Sequence, residues 1–375
     1  MEPIRMVDLR QQYLKIKKEV DEAVNEVIET TSFINGPAVQ KFQKNLETYL
    51  DCSHVIPCAN GTDALQIALM ALKLQPGDEV ITSSFTFVAT VEVVELLRLK
   101  PVMVDVDPLT FNIDPEAIKK AITPKTKAII PVHLFGQSAD MEKIMNIASE
   151  NGLWVIEDNC QAIGADYTFA DGKTKKAGTI GHIGCTSFFP SKNLGAYGDG
   201  GAIFTNDDSL ATDIRYIVNH GMVVRYYHDM VGVNSRLDSI QAAILDVKLR
   251  RLDEYALARN IAAAYYTEQL AVHPQIKTPT KAEFSTHVFH QYTLIADGFQ
   301  RDELIQFLGT KNIPAMIYYP VPLHLQKAYT HHGYKSGDLP ITEALSQNVF
   351  SLPMHTELTT DQLKYICDAV HEFFK

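Results

Sequence analysis

A lysine in a dry, glycine-rich turn can do chemistry that a lysine on a solvated helix face does not. Lys192 lies in such a turn, TSFFPSKNLGAYGDGGAIFTND, residues 186–207. Desolvation lowers the pKa of an amine, and a neutral amine can attack a carbonyl to form a Schiff base. Three other clusters carry complementary chemistry. In ANGTDAL, Gly61 and Thr62 open a helical pattern, and the free N–H groups at a helix start attract phosphate. After the apolar run LWVI come Glu157 and Asp158, where a carboxylate could hold a cationic ring nitrogen, and then Gln161, a neutral donor and acceptor. Phe85 and Phe87 follow VITSS and offer a flat face to a ring. Each piece alone has a plainer explanation: a capped turn, solvated acids at a strand end, core aromatics, a solvated loop lysine.

These residues act together only if the elements bring them together. Apolar positions Tyr13, Ile16, Val20, Ala23, Val24 and Val27, then Val39, Phe42, Leu46 and Tyr49, recur at helical steps and predict two amphipathic helices at the start of the chain. Short apolar runs then alternate with helical patterns: HVIPC, TDALQIALMALKL, DEVITSS, FVATVEVVELLRL, PVMVDV, PEAIKKAI, KAIIPVHLF, MEKIMNIASENG, LWVIED. That alternation predicts an α/β fold with a mainly parallel sheet flanked by helices. In such a sheet ligands bind beyond the carboxyl ends of the strands, which is where the four clusters fall. A phosphate cradle, a ring face, a carboxylate and a lysine on successive strand ends describe a pocket for pyridoxal 5'-phosphate.

Past Asp207 the pattern predicts a helix to about His220, a polar and aromatic connection, and one long helix from about Asp238 to Glu254. VFHQYTLIAD reads as a strand, RDELIQFLGTKN as a helix, PAMIYY as a strand, with two closing helices. We expect a large domain over residues 1–245 and a smaller C-terminal α+β domain over 246–375, the N-terminal helix being free to pack on the latter. A hydrophobic fraction of 46% and a charged fraction of 21% are those of a globular protein, and no stretch reaches the ~18 apolar residues of a membrane span. A net charge of −11 argues against a nucleic-acid partner. Five cysteines without paired or metal-type spacing, and an N-terminus lacking an apolar leader core, predict a cytoplasmic protein with no metal.

Six separated motifs, CANGTDAL, TFVAT, EDNCQA, SFFPSKNLGAYGDGGAI, GVNSRLDSIQAAIL and YYPVPLHLQ, resemble those of the DegT/DnrJ/EryC1/StrS nucleotide-sugar aminotransferases. The resemblance runs in order through nearly the whole chain and implies fold type I, pyridoxal phosphate dependence and a pyridoxamine 5'-phosphate form between two half-reactions. It implies that Lys192 bonds the cofactor and shuttles a proton, and that Asp158 partners the pyridine nitrogen. Gln161 would contact the phenolic oxygen, Phe87 would stack on the ring, and Gly61, Thr62 and Ser187 would hold the phosphate. Asn234 would enter from the second subunit of a homodimer with shared active sites. Arg236, His324 and Tyr318 or Tyr319 match positions near the sugar, and Arg225, His220 and His228 are further candidates for an open, cation-lined cleft.

The implied reaction moves the amino group of L-glutamate to a keto-sugar nucleotide. IRMVDLRQQY, PVHLFGQSADM and VGVNSRLD look most like enzymes that aminate a UDP-linked 2-acetamido-3-keto-hexuronate for surface polysaccharides such as O-antigen. Relatives acting on dTDP- or UDP-linked 3-keto- or 4-keto-6-deoxy sugars share the same motifs. Sugar 3-dehydratases of the superfamily carry histidine where this chain has Lys192, which argues against them. An NAD-dependent oxidoreductase fails because Gly198-Asp199-Gly200 lacks the third glycine of GxGxxG and leads into AIFTN, a strand pattern. A non-catalytic descendant of the fold would not need every pocket position filled by a competent residue.

Overall fold

The computed structural model describes residues 2–375. In chain order the elements of the first part are α1 (Leu9–Glu29), α2 (Pro37–Leu50), β1 (His54–Cys58), α3 (Gly61–Ala71), β2 (Glu79–Ser83), α4 (Ala89–Leu96), β3 (Lys100–Val104), α5 (Pro115–Ala121), β4 (Thr126–Ile130), α6 (Met141–Asn151) and β5 (Trp154–Asp158). A hairpin of β6 (Asp166–Thr168) and β7 (Thr174–Lys176) follows, then β8 (Ile183–Ser187), β9 (Gly201–Thr205) and α7 (Asp208–Ile217). A second hairpin, β10 (Met222–Val224) and β11 (Tyr227–His228), leads to α8 (Ser239–Leu249) and α9 (Leu252–Leu270). The last part holds β12 (Ile276–Lys277), β13 (Tyr292–Ala296), α10 (Arg301–Thr310), α11 (Pro340–Asn348), β14 (Val349–Leu352) and α12 (Thr360–Phe373).

Seven strands form one sheet in the order β1-β9-β8-β5-β4-β2-β3, and only β9 runs against the rest. Both faces are covered, which is why these strands read as continuous apolar runs rather than as alternations. On one face α3, α4 and α7 supply Leu65, Ile67, Val93 and Ile214 against Val80, Ile130 and Ile203. On the other, Phe42 and Leu46 of α2 and Leu245 of α8 meet Val55 and Phe204, while Ile118 of α5 and Ile144 of α6 meet Ile81 and Ile129. The antiparallel sheet β12-β13-β14 has its own core with α9, α10 and α12, centred on Tyr266, Tyr292, Leu304, Phe350 and Ile366. This is the expected architecture, a large α/β unit with a mostly parallel sheet and a smaller C-terminal α+β unit. Helix α1 packs Ile16 and Val20 on Ile244 and Val247 of α8. Among the described residues no helix is long and apolar enough to cross a membrane.

Two local expectations need correction. The long helix over 238–254 is broken: α8 ends at Leu249 and α9 starts at Leu252, with Arg251 at φ −115° and ψ 5° between them. There the backbone closes a tighter turn, Arg251 N to Lys248 O at 2.9 Å, and Glu19 of α1 pairs with Arg251 at 2.6 Å and Arg250 at 3.5 Å. PAMIYY forms no strand. Only Met316 pairs, exchanging both backbone bonds with Ser351 at 3.1 and 2.7 Å, and Pro314, Pro320 and Pro322 lack the donors a ladder needs.

The two sheets are joined by a strap over residues 288–291. Val288 N donates to Gly136 O at 2.8 Å, Gln291 N to Phe135 O at 3.3 Å, and Asn193 Nδ2 to Val288 O at 2.9 Å. Gly136, at φ +110°, lets the chains approach: a Cβ there would stand 2.9 Å from the backbone nitrogens of both Phe289 and His290. The buried Arg259 of α9 holds the strap from behind, its Nη1 donating to the carbonyls of Phe289 and Met354 at 3.0 Å and of His290 at 3.4 Å.

Candidate active site

At the carboxyl ends of the parallel strands a cavity of about 710 Å³ is lined from both sheets. Asn60–Asp63 and Leu65 come from the β1–α3 junction, Thr86, Phe87 and Ala89 from the segment after β2, and Asp158, Cys160 and Gln161 from the end of β5. Ser187, Phe189, Ser191, Lys192 and Asp199 come from the β8–β9 connection, and His290, Gln291, Tyr318 and Tyr319 from the side of the smaller sheet.

Asn60 caps α3 by accepting from Asp63 N at 2.8 Å, so the helix starts at Gly61 with its first N–H groups free. Gly61 packs so tightly on the end of β8 that a Cβ would come within 2.7 Å of Ser187 Cβ and 3.0 Å of Cys160 Sγ. This closeness puts the helix start, Thr62 and Ser187 on one concave surface, the geometry of a phosphate cradle. Gly61→Ala must push that helix start away from β8. We expect the affinity for pyridoxal phosphate to fall about tenfold, the equivalent of roughly 1–2 kcal/mol of overpacking, in a fluorescence titration of cofactor-free protein.

Successive side chains on β5 point to opposite sides, and the two acids there have different surroundings. Asp158 reaches the cavity, its Oδ2 accepting from Thr90 Oγ1 at 2.8 Å and its Oδ1 from Cys160 N at 3.2 Å. Glu157 is fully buried on the other side. It accepts from Gly178 N at 2.8 Å, Ile180 N at 2.6 Å and Gly181 N at 2.5 Å, and from His133 Nε2, 2.8 Å away, whose Nδ1 takes the Ala139 N–H at 3.1 Å. Burial pushes the Glu157 carboxyl up, but His133 and these N–H groups outweigh it and hold its pKa below the ordinary value.

Lys192 sits at the mouth of the β8–β9 connection, with Lys192 N bonded to Phe189 O at 2.8 Å. Desolvation pushes its amine below the ordinary lysine value, opposed by its neighbours Cys160 and Asp158. Gln161 uses both ends of its amide, Oε1 accepting from Phe135 N at 2.9 Å and Nε2 donating to Tyr319 Oη at 3.1 Å. Burial raises the Tyr319 phenol, keeping it protonated. Phe87 is half exposed at the cavity edge, its ring centroid 6.3 Å from that of Tyr319.

Of the residues singled out by sequence, the fold brings Gly61, Thr62, Phe87, Asp158, Gln161, Ser187, Lys192, Tyr318 and Tyr319 to this one cavity. Others lie elsewhere. His324 is buried outside the wall, hydrogen-bonded to Ser84 Oγ at 2.7 Å and Glu343 Oε1 at 3.1 Å, so both ring nitrogens are engaged away from the cavity. Phe85 is a core residue between Phe111 and Phe135. Asn234 is exposed, paired through its backbone with Asn219, and Arg236 reaches Asn219 Oδ1 at 3.4 Å. Arg225 and His228 belong to the exposed β10–β11 hairpin, and His228 Nδ1 donates to His220 O at 2.9 Å. Sequence reasoning did not single out Thr86, Thr90, Asp63, Asp199, His290 or Gln291. Thr90 lies inside a helical apolar pattern, and His290 and Gln291 fall in VFHQYTLIAD, which reads as a strand although β13 starts only at Tyr292, positions that carry no signal of their own.

The residues fit pyridoxal phosphate. One buried side-chain atom in the cavity wall, Thr86 Oγ1, has no protein partner, and buried polar groups in native folds are almost always paired. A carboxylate, a desolvated amine and a phosphate-sized cradle face the same space.

Comparison with known proteins agrees with this chemistry. Residues 14–371 match the model of the DegT/DnrJ/EryC1/StrS aminotransferase family. The chain is 49% identical over 374 residues to a pleiotropic regulatory protein of Geobacillus stearothermophilus, covering 99% of each. It is 47% identical over 368 residues to the UDP-2-acetamido-2-deoxy-3-oxo-D-glucuronate aminotransferase of Pseudomonas aeruginosa, covering 98% of this chain and 99% of that one. The crystal structure of NtdA from Bacillus subtilis with bound cofactor PMP superposes with a TM-score of 0.90 at 32% identity, over 99% of this chain and 85% of that one. With a family match over nearly its whole length and a cavity chemically suited to the cofactor, this chain belongs to the DegT/DnrJ/EryC1/StrS family and is a pyridoxal-phosphate-dependent aminotransferase.

Proposed function

We propose that this aminotransferase moves the amino group of L-glutamate to a UDP-linked 2-acetamido-3-keto-hexuronate, supplying an amino sugar for a surface polysaccharide. The observation that carries the substrate reading is the 47% identity, over nearly all of both chains, with the Pseudomonas aeruginosa enzyme named for that sugar. When bound, the cofactor supplies an electron sink that makes the bond to the α-hydrogen of the donor labile. Gly61, Thr62 and Ser187 would hold its phosphate, Asp158 would keep its ring nitrogen protonated, and Phe87 would cover one face. Gln161, fixed by Phe135 N and Tyr319 Oη, would contact its phenolic oxygen. Lys192 Nζ takes the α-proton, a role that burial favours by making the neutral amine accessible. Tyr318 and Tyr319 face the sugar. His324, held by Ser84 and Glu343, acts from behind the wall as a positioning residue.

Charge supports a homodimer with shared sites. Among the described residues the cavity wall offers three carboxylates, Asp63, Asp158 and Asp199, against one lysine, Lys192. Both substrates are anions, so further cations must come from outside the wall. The β10–β11 hairpin carries Arg225 among exposed apolar residues, Val224, Tyr226 and Tyr227, with Val231 beyond it, as a surface that inserts into a second copy would. Asn234 and Arg236 would enter by the same route, Arg236 suiting the hexuronate carboxylate. In this reading the chain divides at the turn between α8 and α9, because α9 shares its core with the smaller sheet. Five free cysteines suit a reducing cytoplasm.

The test is a panel. Purified enzyme, L-glutamate and UDP- or dTDP-linked keto sugars with and without a C6 carboxylate are incubated, and amino-sugar products are followed by mass. We expect the UDP-linked 3-keto-hexuronate to give the highest kcat/KM. Preference for a sugar without the carboxylate would overturn the substrate assignment.

A further inference from the structure

Resting on the two half-reactions proposed above, we propose that His290 is a substrate-contacting residue shared by both. Its imidazole hydrogen-bonds a carboxylate oxygen of the amino donor in one half and a hydroxyl or carbonyl oxygen of the sugar in the other.

His290 lies in the strap between the sheets and is 7% exposed, yet it lines the cavity, and its Nδ1 is buried with no protein partner. Nδ1 itself is covered, so a guest in the cavity meets the ring through its other polar atom, Nε2. The imidazole is also well held. Arg259 Nη1 anchors the carbonyls of Phe289 and His290, and the Gln291 N–H is tied to Phe135 O at 3.3 Å. Arg259 is itself 3% exposed and its recorded bonds go to backbone carbonyls.

The charged groups facing the ring are the Lys192 amine and the Arg259 guanidinium. Together with burial, the larger effect, they push the His290 pKa well below its ordinary value and keep the ring neutral. A neutral imidazole offers one N–H and one lone pair, and exchange of tautomers swaps them. That suits a site whose guests alternate between a carboxylate, which only accepts, and a sugar oxygen, which can also donate. A guanidinium in that place would be left buried and unpaired with each sugar. Position separates this role from cofactor holding. The groups suited to the cofactor, Gly61, Ser187 and Asp158, come from the strand ends of the larger sheet, whereas His290 comes from the strap that precedes the smaller sheet.

The test uses cofactor-loaded enzyme carrying His290→Phe, which keeps the bulk and removes the polar atoms, and His290→Asn, which keeps a donor and an acceptor. Half-saturation by L-glutamate and by the sugar nucleotide is measured in separate single-turnover half-reactions, 2-oxoglutarate binding by calorimetry, and pyridoxal phosphate affinity by titration of cofactor-free protein. We expect His290→Phe to weaken both substrates and 2-oxoglutarate about tenfold, the loss of roughly one hydrogen bond to a charged group. His290→Asn recovers part of this, and cofactor affinity stays within about twofold in both variants. Unchanged half-saturation and 2-oxoglutarate binding in a folded His290→Phe protein would overturn the proposal. So would a fall in cofactor affinity alone, which would give His290 to the cofactor. If His290→Phe does not fold, His290→Asn with wild-type values for all three ligands overturns it equally. Failure of the wild type to react with L-glutamate would instead sink the proposed function, while 2-oxoglutarate binding would still report on His290.

Discussion

Lys192→Ala should give a folded protein that binds pyridoxal phosphate without a covalent bond and has lost turnover by at least about 10⁴-fold. A positioned base alone contributes roughly 10²–10⁴, and this substitution removes the nucleophile as well. The fold should tolerate the change, because the turn that carries Lys192 is secured elsewhere. Asn193 Nδ2 bonds to Val288 O at 2.9 Å, and the fully buried Lys248 donates to Gly195 O at 2.6 Å. Absorbance, thermal unfolding and single-turnover assays read the three parts separately. The visible band of covalently held cofactor should vanish, the unfolding midpoint should hold, and the half-reaction with L-glutamate should disappear. A variant that keeps a tenth of wild-type turnover would remove Lys192 from its assigned role.

Glu157→Ala should have the largest effect on stability. The carboxylate is the common partner of His133 and three backbone N–H groups, all buried, and truncation strands the four donors at once. Leaving one buried donor unpaired costs about 1–3 kcal/mol, so losing a carboxylate that serves several comes to about 3–5 kcal/mol. For a protein of this size we expect the unfolding midpoint to fall by roughly 4–6 °C. The same network sets an acid dependence. Because the folded pKa of Glu157 lies below its ordinary value of 4.5, its contribution is complete above that value and is lost as pH falls through the folded pKa. The stability difference between wild type and Glu157→Ala, followed by denaturant unfolding, should therefore shrink below about pH 4.5. A difference that stays constant down to pH 3 would show that the carboxylate is not the group responsible.

Most of the scaffold was legible in the sequence because it is written in local terms. Buried parallel strands read as unbroken runs such as VIPC and KAII, and caps such as Asn60 and Asp140 mark helix starts. The cradle, Asp158 and Lys192 follow from the rule that ligands gather at strand ends. What sequence could not reveal depends on non-local partners. A continuous helical pattern from Asp238 hides the break at Arg250–Arg251, where Glu19, more than two hundred residues away, pairs with both arginines. Glu157 and Asp158 look alike in sequence, and only the pleat of β5 and the position of His133 separate a structural acid from one facing the cavity. His324 stands in the YYPVPLHLQ segment, yet Ser84 and Glu343 claim its ring. His290 was read as part of a strand. Its place in the wall is decided by the strap's bonds to Gly136 and Phe135.

That strap has one more consequence. By stitching the smaller sheet to the larger through Gly136, Phe135, Asn193 and Arg259, it sets the opposing walls before any ligand arrives. The entropy of immobilising Lys192, Gln161 and the tyrosines is then spent while the chain folds, and a guest meets a preorganised vestibule. Two unlike molecules can thus use one doorway in turn without the enzyme having to rebuild the room between visits.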